Sequence, residues 1–192
     1  YSDRGLCSKG TKFIFNGTGN QTVTAADGLL NFKNVEFNNS DITFKNTEIT
    51  CYIEKDEIVN GDLYIREIDL NGHKLTVNGN LQLRNKITLN GGELYIAGDY
   101  NAAIPVTNSD GTTGYTGGYL NMNNVNDKVS VTGDFNTCID YIYDYDFNDV
   151  YSYLNKGILE IGGNLNDFYN NGSSYSDRGL CSKGTKFIFN GT

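Results

Sequence analysis

Three carboxylates, Asp62, Asp99 and Asp134, each follow a glycine inside one recurring pattern, hydrophobic-x-hydrophobic-x-Gly-Asp/Asn-hydrophobic. Carboxylates over a β-sheet are the groups that polysaccharide cleavage uses, one as acid and the other as base or nucleophile. Such chemistry needs two unlike carboxylates converging on one bond. Here the acid returns once per copy of the pattern, as a capping side chain would, so no catalytic residue is expected. The single histidine, His73, follows Asn71-Gly72 and reads as a solvated turn residue. No Ser/His/Asp set, phosphate loop or CxxC zinc spacing accompanies it. One further candidate is Asp144-x-Asp146-x-Asn148, which matches the opening of a Ca²⁺ loop. The sixth position, where such a loop needs glycine, is Asp149, and the twelfth is Asn155 rather than glutamate. Ca²⁺ is therefore the only cofactor the sequence puts forward, set against the reading of a solvated acidic loop.

The elements that would position these groups are repeats. Residues 1–18, YSDRGLCSKGTKFIFNGT, recur unchanged as residues 175–192, a displacement of 174 residues. We read 1–174 as one complete tandem repeat and 175–192 as the start of the next, continuing the same structure. A chain of stacked repeats gains stability from each unit and from each neighbour contact. Composition narrows the class. There are 27 Asn and 23 Gly against one Pro, one Met and no Trp, and no stretch has the spacing of an amphipathic helix. Short alternating segments ending in Asn-Gly, Gly-Asp or Gly-Gly read as strands and turns. The net charge of −8 argues against nucleic acid as a partner. There is no apolar run long enough to span a bilayer, so membrane insertion is not expected.

Inside the period the pattern appears as LTVNGNL (75–81), LYIAGDY (94–100), VSVTGDF (129–135) and LEIGGNL (159–165). A fifth copy, EIVNGDL (57–63), has Glu57 in the first apolar slot. The glycines are Gly61, Gly79, Gly98, Gly133 and Gly163, separated by 18, 19, 35 and 30 residues. A step of 18–20 residues suits one coil of a parallel, right-handed β-helix, with these glycines at the coil corner and insertions at the longer gaps. Strands would pair with their equivalents in neighbouring coils, and Val77, Ile96, Val131 and Ile161 would form an inward aliphatic ladder. Before Gly61 the register changes, although FKNVEF (32–37) and FKNTEI (44–49) still alternate. About eight coils per repeat would give a rise of roughly 4 nm. An antiparallel sandwich is the competing all-β architecture.

The segments 102–117, 138–156 and 169–184 each follow the same step of the pattern, so they are expected as loops along one edge. They carry Tyr115, Tyr141, Tyr143, Tyr145, Tyr151, Tyr153, Tyr169 and Tyr175. Tyrosine combines large contact area with a polar tip, so this edge could bind a surface or sugar, or the loops could pack on one another. Of the four cysteines, Cys181 is the second copy of Cys7, leaving Cys7, Cys51 and Cys138 per period. Cys138 and Cys181 lie in loops of the same corner, the expected disulfide; Cys7 is the equivalent of Cys181 at the preceding junction. Pairing of Cys7 with Cys51, or no pairing, stays open. Cys51, in EITCYI, alternates with hydrophobics and reads as a buried free thiol.

The runs IDLNGHKLTVNGNLQL (68–83), NGGELYIAGDYN (90–101), KGILEIGGNLNDF (156–168) and TKFIFNGTGNQTVT (11–24) resemble the long repeats of large bacterial secreted and surface proteins. These are adhesin-like proteins of the filamentous-haemagglutinin type in a broad sense. The resemblance implies an extracellular, surface-attached filament or stalk with no chemistry of its own, its partners being neighbouring copies of the repeat. The alternative is a carbohydrate- or surface-binding module that holds surface glycans at the tyrosine-rich edge. The cysteines and the tyrosine-rich insertions depart from the common pattern of such repeats.

Overall fold

The structure is a computed structural model that describes residues 12–24, 29–31, 34–37, 39, 42–45, 48–138, 154–168 and 182–191. Among these residues there is no helix. The chain proceeds in rounds of short strands separated by tight turns. The first round holds β1 (Lys12–Phe15), β2 (Gln21–Thr24) and β3 (Leu29–Asn31), and the second β4 (Asn34–Phe37), β5 (Ile42–Lys45) and β6 (Glu48–Tyr52). The next two are β7 (Glu57–Val59) with a long β8 (Leu63–Asp69), and β9 (Lys74–Val77) with a long β10 (Leu81–Thr88). The fifth comprises β11 (Glu93–Ile96), β12 (Tyr100–Asn101), a hairpin of β13 (Ile104–Thr107) and β14 (Thr113–Thr116), and β15 (Tyr119–Asn121). Then come β16 (Lys128–Val131) and β17 (Phe135–Thr137), β18 (Ile158–Ile161) and β19 (Leu165–Asp167), and finally β20 (Lys186–Phe189).

Each strand pairs in parallel with its counterpart one round away. The opening strands form a six-stranded sheet in the order β7-β9-β11-β16-β18-β20, with β1 and β4 as a separate pair. The middle and closing strands form an eight-stranded sheet, β3-β6-β8-β10-β12-β17-β19 with β15 on β10; β2 and β5 pair beside it. β8 and β10 serve both middle and closing positions, with a register break between Leu83 and Lys86. The only antiparallel pair among the described strands is β13 with β14, which excludes an antiparallel sandwich for this part of the chain. This hairpin is the first of the expected insertions. The near ends of the other two follow β17 and β19, and 139–153 and 169–181 lie outside the described residues.

Alternation decides which face is buried, since successive strand residues point to opposite sides. In the six-stranded sheet Val77, Ile96, Val131 and Ile161 are in register and all at most 2% exposed. They form the aliphatic ladder that the sequence suggests. The second sheet contributes Leu63, Leu81, Tyr100 and Phe135 from successive rounds, each at most 2% exposed. The Tyr100 and Phe135 rings stack at 4.4 Å and 10°, which adds roughly 1 kcal/mol to the area they bury.

The register change before Gly61 has a physical cause. β4 lies beside β7 without a hydrogen-bond ladder. Glu57, in a slot that other rounds fill with leucine or valine, accepts a hydrogen bond from the Phe37 N–H at 2.9 Å. That carboxylate is only 3% exposed, and its other oxygen lies 3.9 Å from Lys55 Nζ. Lys55 also pairs with Glu36 at 2.7 Å, and Glu36 with Lys12 at 2.7 Å. A charged side chain thus replaces the main-chain pairing at this step. Burial pushes the Glu57 carboxyl above its ordinary range, and the Phe37 N–H and Lys55 oppose that push. From β1 to β20 the opening strands number eight, hence seven steps, not eight, per period. At about 4.8 Å per strand the rise is about 34 Å.

Candidate functional site

The glycines expected at the corner stack on one another in chain order. The N–H of Gly98 donates to the Gly79 carbonyl, Gly133 to Gly98, and Gly163 to Gly133, at 2.9–3.0 Å. A Cβ on Gly133 would sit 2.2 Å from Asp99 Oδ1 and 2.7 Å from the Gly98 carbonyl oxygen. Gly79, Gly98 and Gly163 are crowded in the same way. Gly61, at the bottom of the stack, would meet only the Ile42 oxygen at 3.4 Å. Positive φ is not the reason for these glycines. Among the described residues it falls at the Asn-Gly turns, Asn71-Gly72 and Asn90-Gly91, and at Gly111 and Gly157. The corner requires glycine because two backbones nearly touch.

The residue after each glycine completes the corner. Asp62 Oδ1 accepts from the Asn80 N–H at 2.7 Å, Asn80 Oδ1 from Asp99 at 2.9 Å, and Asp99 Oδ1 from Asp134 at 2.8 Å. Asp134 Oδ1 then accepts from the Asn164 N–H at 2.7 Å. Each side chain thus binds the backbone of the next round, worth about 1 kcal/mol apiece. Asn80 serves between two aspartates, so an oxygen acceptor, and not an ionisable acid, is what the position demands. The three candidate acids are spread along this ladder and do not converge on a common point. Parallel amide ladders accompany it, with Asn166 donating to Asn136 and Asn136 to Asn101 at 2.7–2.8 Å. Asp127 had no sequence signal beyond its position before the strand VSV. It is 1% exposed, and its two oxygens accept from the Gly91 and Asn124 N–H groups at 2.6 and 2.8 Å.

On the tyrosine-rich edge, Tyr115 is half-buried, its ring 4.7 Å from that of Phe168 at the root of the third insertion. That contact supports packing between insertions. Tyr141, Tyr143, Tyr145, Tyr151, Tyr153, Tyr169 and Tyr175 lie outside the described residues, as do the Ca²⁺ candidates Asp144, Asp146 and Asn148. Among the described residues no group of three or more acidic, histidine or cysteine side chains is arranged to hold a metal. Cys51 is a buried free thiol, as its alternation suggests, and burial pushes its pKa up to about 12. That state excludes a Cys7–Cys51 disulfide. Cys138 is buried at 1% exposure, while Cys7 and Cys181 lie outside the described residues.

The two copies of the sequence KFIF supply the remaining site. β1 pairs with β4 in the register Lys12–Asn34, Phe13–Val35, Ile14–Glu36 and Phe15–Phe37. β20 pairs with β18 in the register Ile158–Lys186, Leu159–Phe187, Glu160–Ile188 and Ile161–Phe189. Identical strands therefore stand at opposite ends of the opening row, each flanked on one side. Phe15 is half-buried, its ring stacked 6.1 Å from that of Phe37, whereas Phe189 is 60% exposed. No known protein family, curated protein or solved structure matches the chain.

Proposed function

We propose that the chain is one period, and the beginning of the next, of an extracellular parallel β-helix that serves as the shaft of a surface filament or fibrous adhesin. The observation that carries this reading is the placement of the KFIF copies. A strand that closes one end of a parallel row and recurs, residue for residue, at the other end is the geometry of an array with no intrinsic stop. The Gly-Asp/Asn corner supports the same reading, because its hydrogen bonds run along the stack and can be extended by each added round. A shaft needs length and stiffness, and ladders of amides, carboxylates and aliphatic side chains supply both. A disulfide between Cys138 and Cys181 would add covalent continuity between consecutive repeats. Peptide mapping under non-reducing conditions reads that link directly.

The function is tested by electron microscopy of the intact protein on its cell surface. The reading expects an unbranched fibre a few nanometres wide, lengthening with repeat number. Compact particles would overturn it. A glycan-array screen of the 192-residue chain addresses the competing binding role, for which the tyrosine-rich edge is the candidate.

A further inference from the structure

Resting on the shaft reading, we propose that separate copies of this chain join head to tail by strand exchange. β20 of one copy takes the place of β1 in the next and pairs with that copy's Asn34–Phe37. The register is the one β1 already uses. Lys186 would face Asn34 of the second copy, Phe187 would face Val35, Ile188 would face Glu36, and Phe189 would face Phe37.

Four observations support this occupant. The strand β4 cannot distinguish β1 from β20, because the two are identical over the four paired residues and over the eighteen around them. Phe189 is exposed where its twin Phe15 stacks on Phe37, so exchange covers an apolar ring that is now in solvent. Charge agrees as well. Lys12 pairs with Glu36 at 2.7 Å, while its twin Lys186 is exposed and makes no ion pair among the described residues. Finally, the buried columns continue across the joint. Leu159 and Phe187 would be followed by Val35 of the second copy, and Ile161 and Phe189 by its Phe37. The contact is heterologous, and a translation of this kind does not close, so it generates an open series rather than a dimer. Consecutive repeats on one chain would make the same contact.

In the intact chain β1 is tethered beside β4 and competes at a high effective concentration. Exchange is therefore held back until β1 is weakened, which gives a test with opposite signs in identical sequence. Sedimentation velocity on the 192-residue chain should show a monomer. Phe15→Asp loosens β1 and opens β4, so a ladder of oligomers growing with concentration is expected. Phe189→Asp should remain monomeric. The double variant Phe15→Asp/Phe189→Asp should also be monomeric, because its donor strand is spoiled although β4 is exposed. Far-UV circular dichroism of all four chains checks that the sheet is retained. A monomeric Phe15→Asp chain would overturn the proposal, and so would assembly of the double variant, which would mean that exposed Phe37 is merely sticky. Either result leaves the shaft reading standing, since its fibre dimensions are measured independently.

Discussion

Replacing Gly133 by alanine places a Cβ where Asp99 Oδ1 would be 2.2 Å away and the Gly98 carbonyl oxygen 2.7 Å away. The second of these is backbone in the middle of a hydrogen-bonded stack, so it cannot step aside alone. Forcing one carbon into so tight a site costs about 1–3 kcal/mol. Displacing Asp99 also weakens its 2.8 Å bond to the Asp134 N–H, a further loss of about 1 kcal/mol. The lower unfolded-chain entropy of alanine returns ~0.4–1 kcal/mol. The net expectation is a loss of roughly 1–3 kcal/mol, a sizeable part of a typical domain stability of about 5–15 kcal/mol. Gly61→Ala is the control, because there the new carbon meets one oxygen at 3.4 Å, an ordinary contact. It should be neutral or stabilising by up to ~1 kcal/mol. Urea unfolding followed by far-UV circular dichroism reads both. Equal effects at the two positions, or a neutral Gly133→Ala, would refute the idea that backbone contact between rounds dictates glycine at this corner.

Three other outcomes follow from the same geometry. Phe135→Ala removes one ring of the Tyr100 stack from a fully buried column and should cost about 3–5 kcal/mol in the same unfolding assay; a loss under ~1 kcal/mol would mean the column is not the core. Cys51 should resist alkylation in the folded chain at neutral pH and react only on unfolding, because burial holds its thiol protonated; rapid labelling seen by mass spectrometry would contradict that. Glu57 has a folded pKa above its unfolded value, so its contribution is favourable at low pH and is lost as pH rises from about 4.5 through the raised folded value. Glu57→Gln should flatten that part of the wild-type stability curve while keeping an acceptor for the Phe37 N–H, and an unchanged difference across the window would count against it.

Much of the fold was legible where the Gly-Asp/Asn pattern is intact. LTVNGNL, LYIAGDY, VSVTGDF and LEIGGNL all place a strand of the six-stranded sheet just before the glycine and a strand of the other sheet just after it. The alternation fixes which side chains are buried, and the glycine marks where backbones meet. The first two rounds were harder because they lack that marker. FKNVEF contains β4, but the similar FKNTEI straddles the end of β5 and the start of β6. Two like words thus do different work, since alternation alone does not say where the chain turns. Glu57 reads as a flaw in the pattern, yet its carboxylate binds the Phe37 N–H across a step that has no ladder. Asp127 was silent for a related reason: its partners, Gly91 and Asn124, are brought to it by tertiary folding. The end strands were visible as an 18-residue echo, but only pairing registers reveal that the copies occupy equivalent stations in one row.

The central claim is that one period adds seven strand spacings along a single axis. Small-angle X-ray scattering on chains carrying one, two and three periods measures this most directly. The account predicts a maximum dimension that grows by about 34 Å for every added period, at constant cross-sectional radius. Growth in all dimensions together, or an increment far from that length, would contradict it.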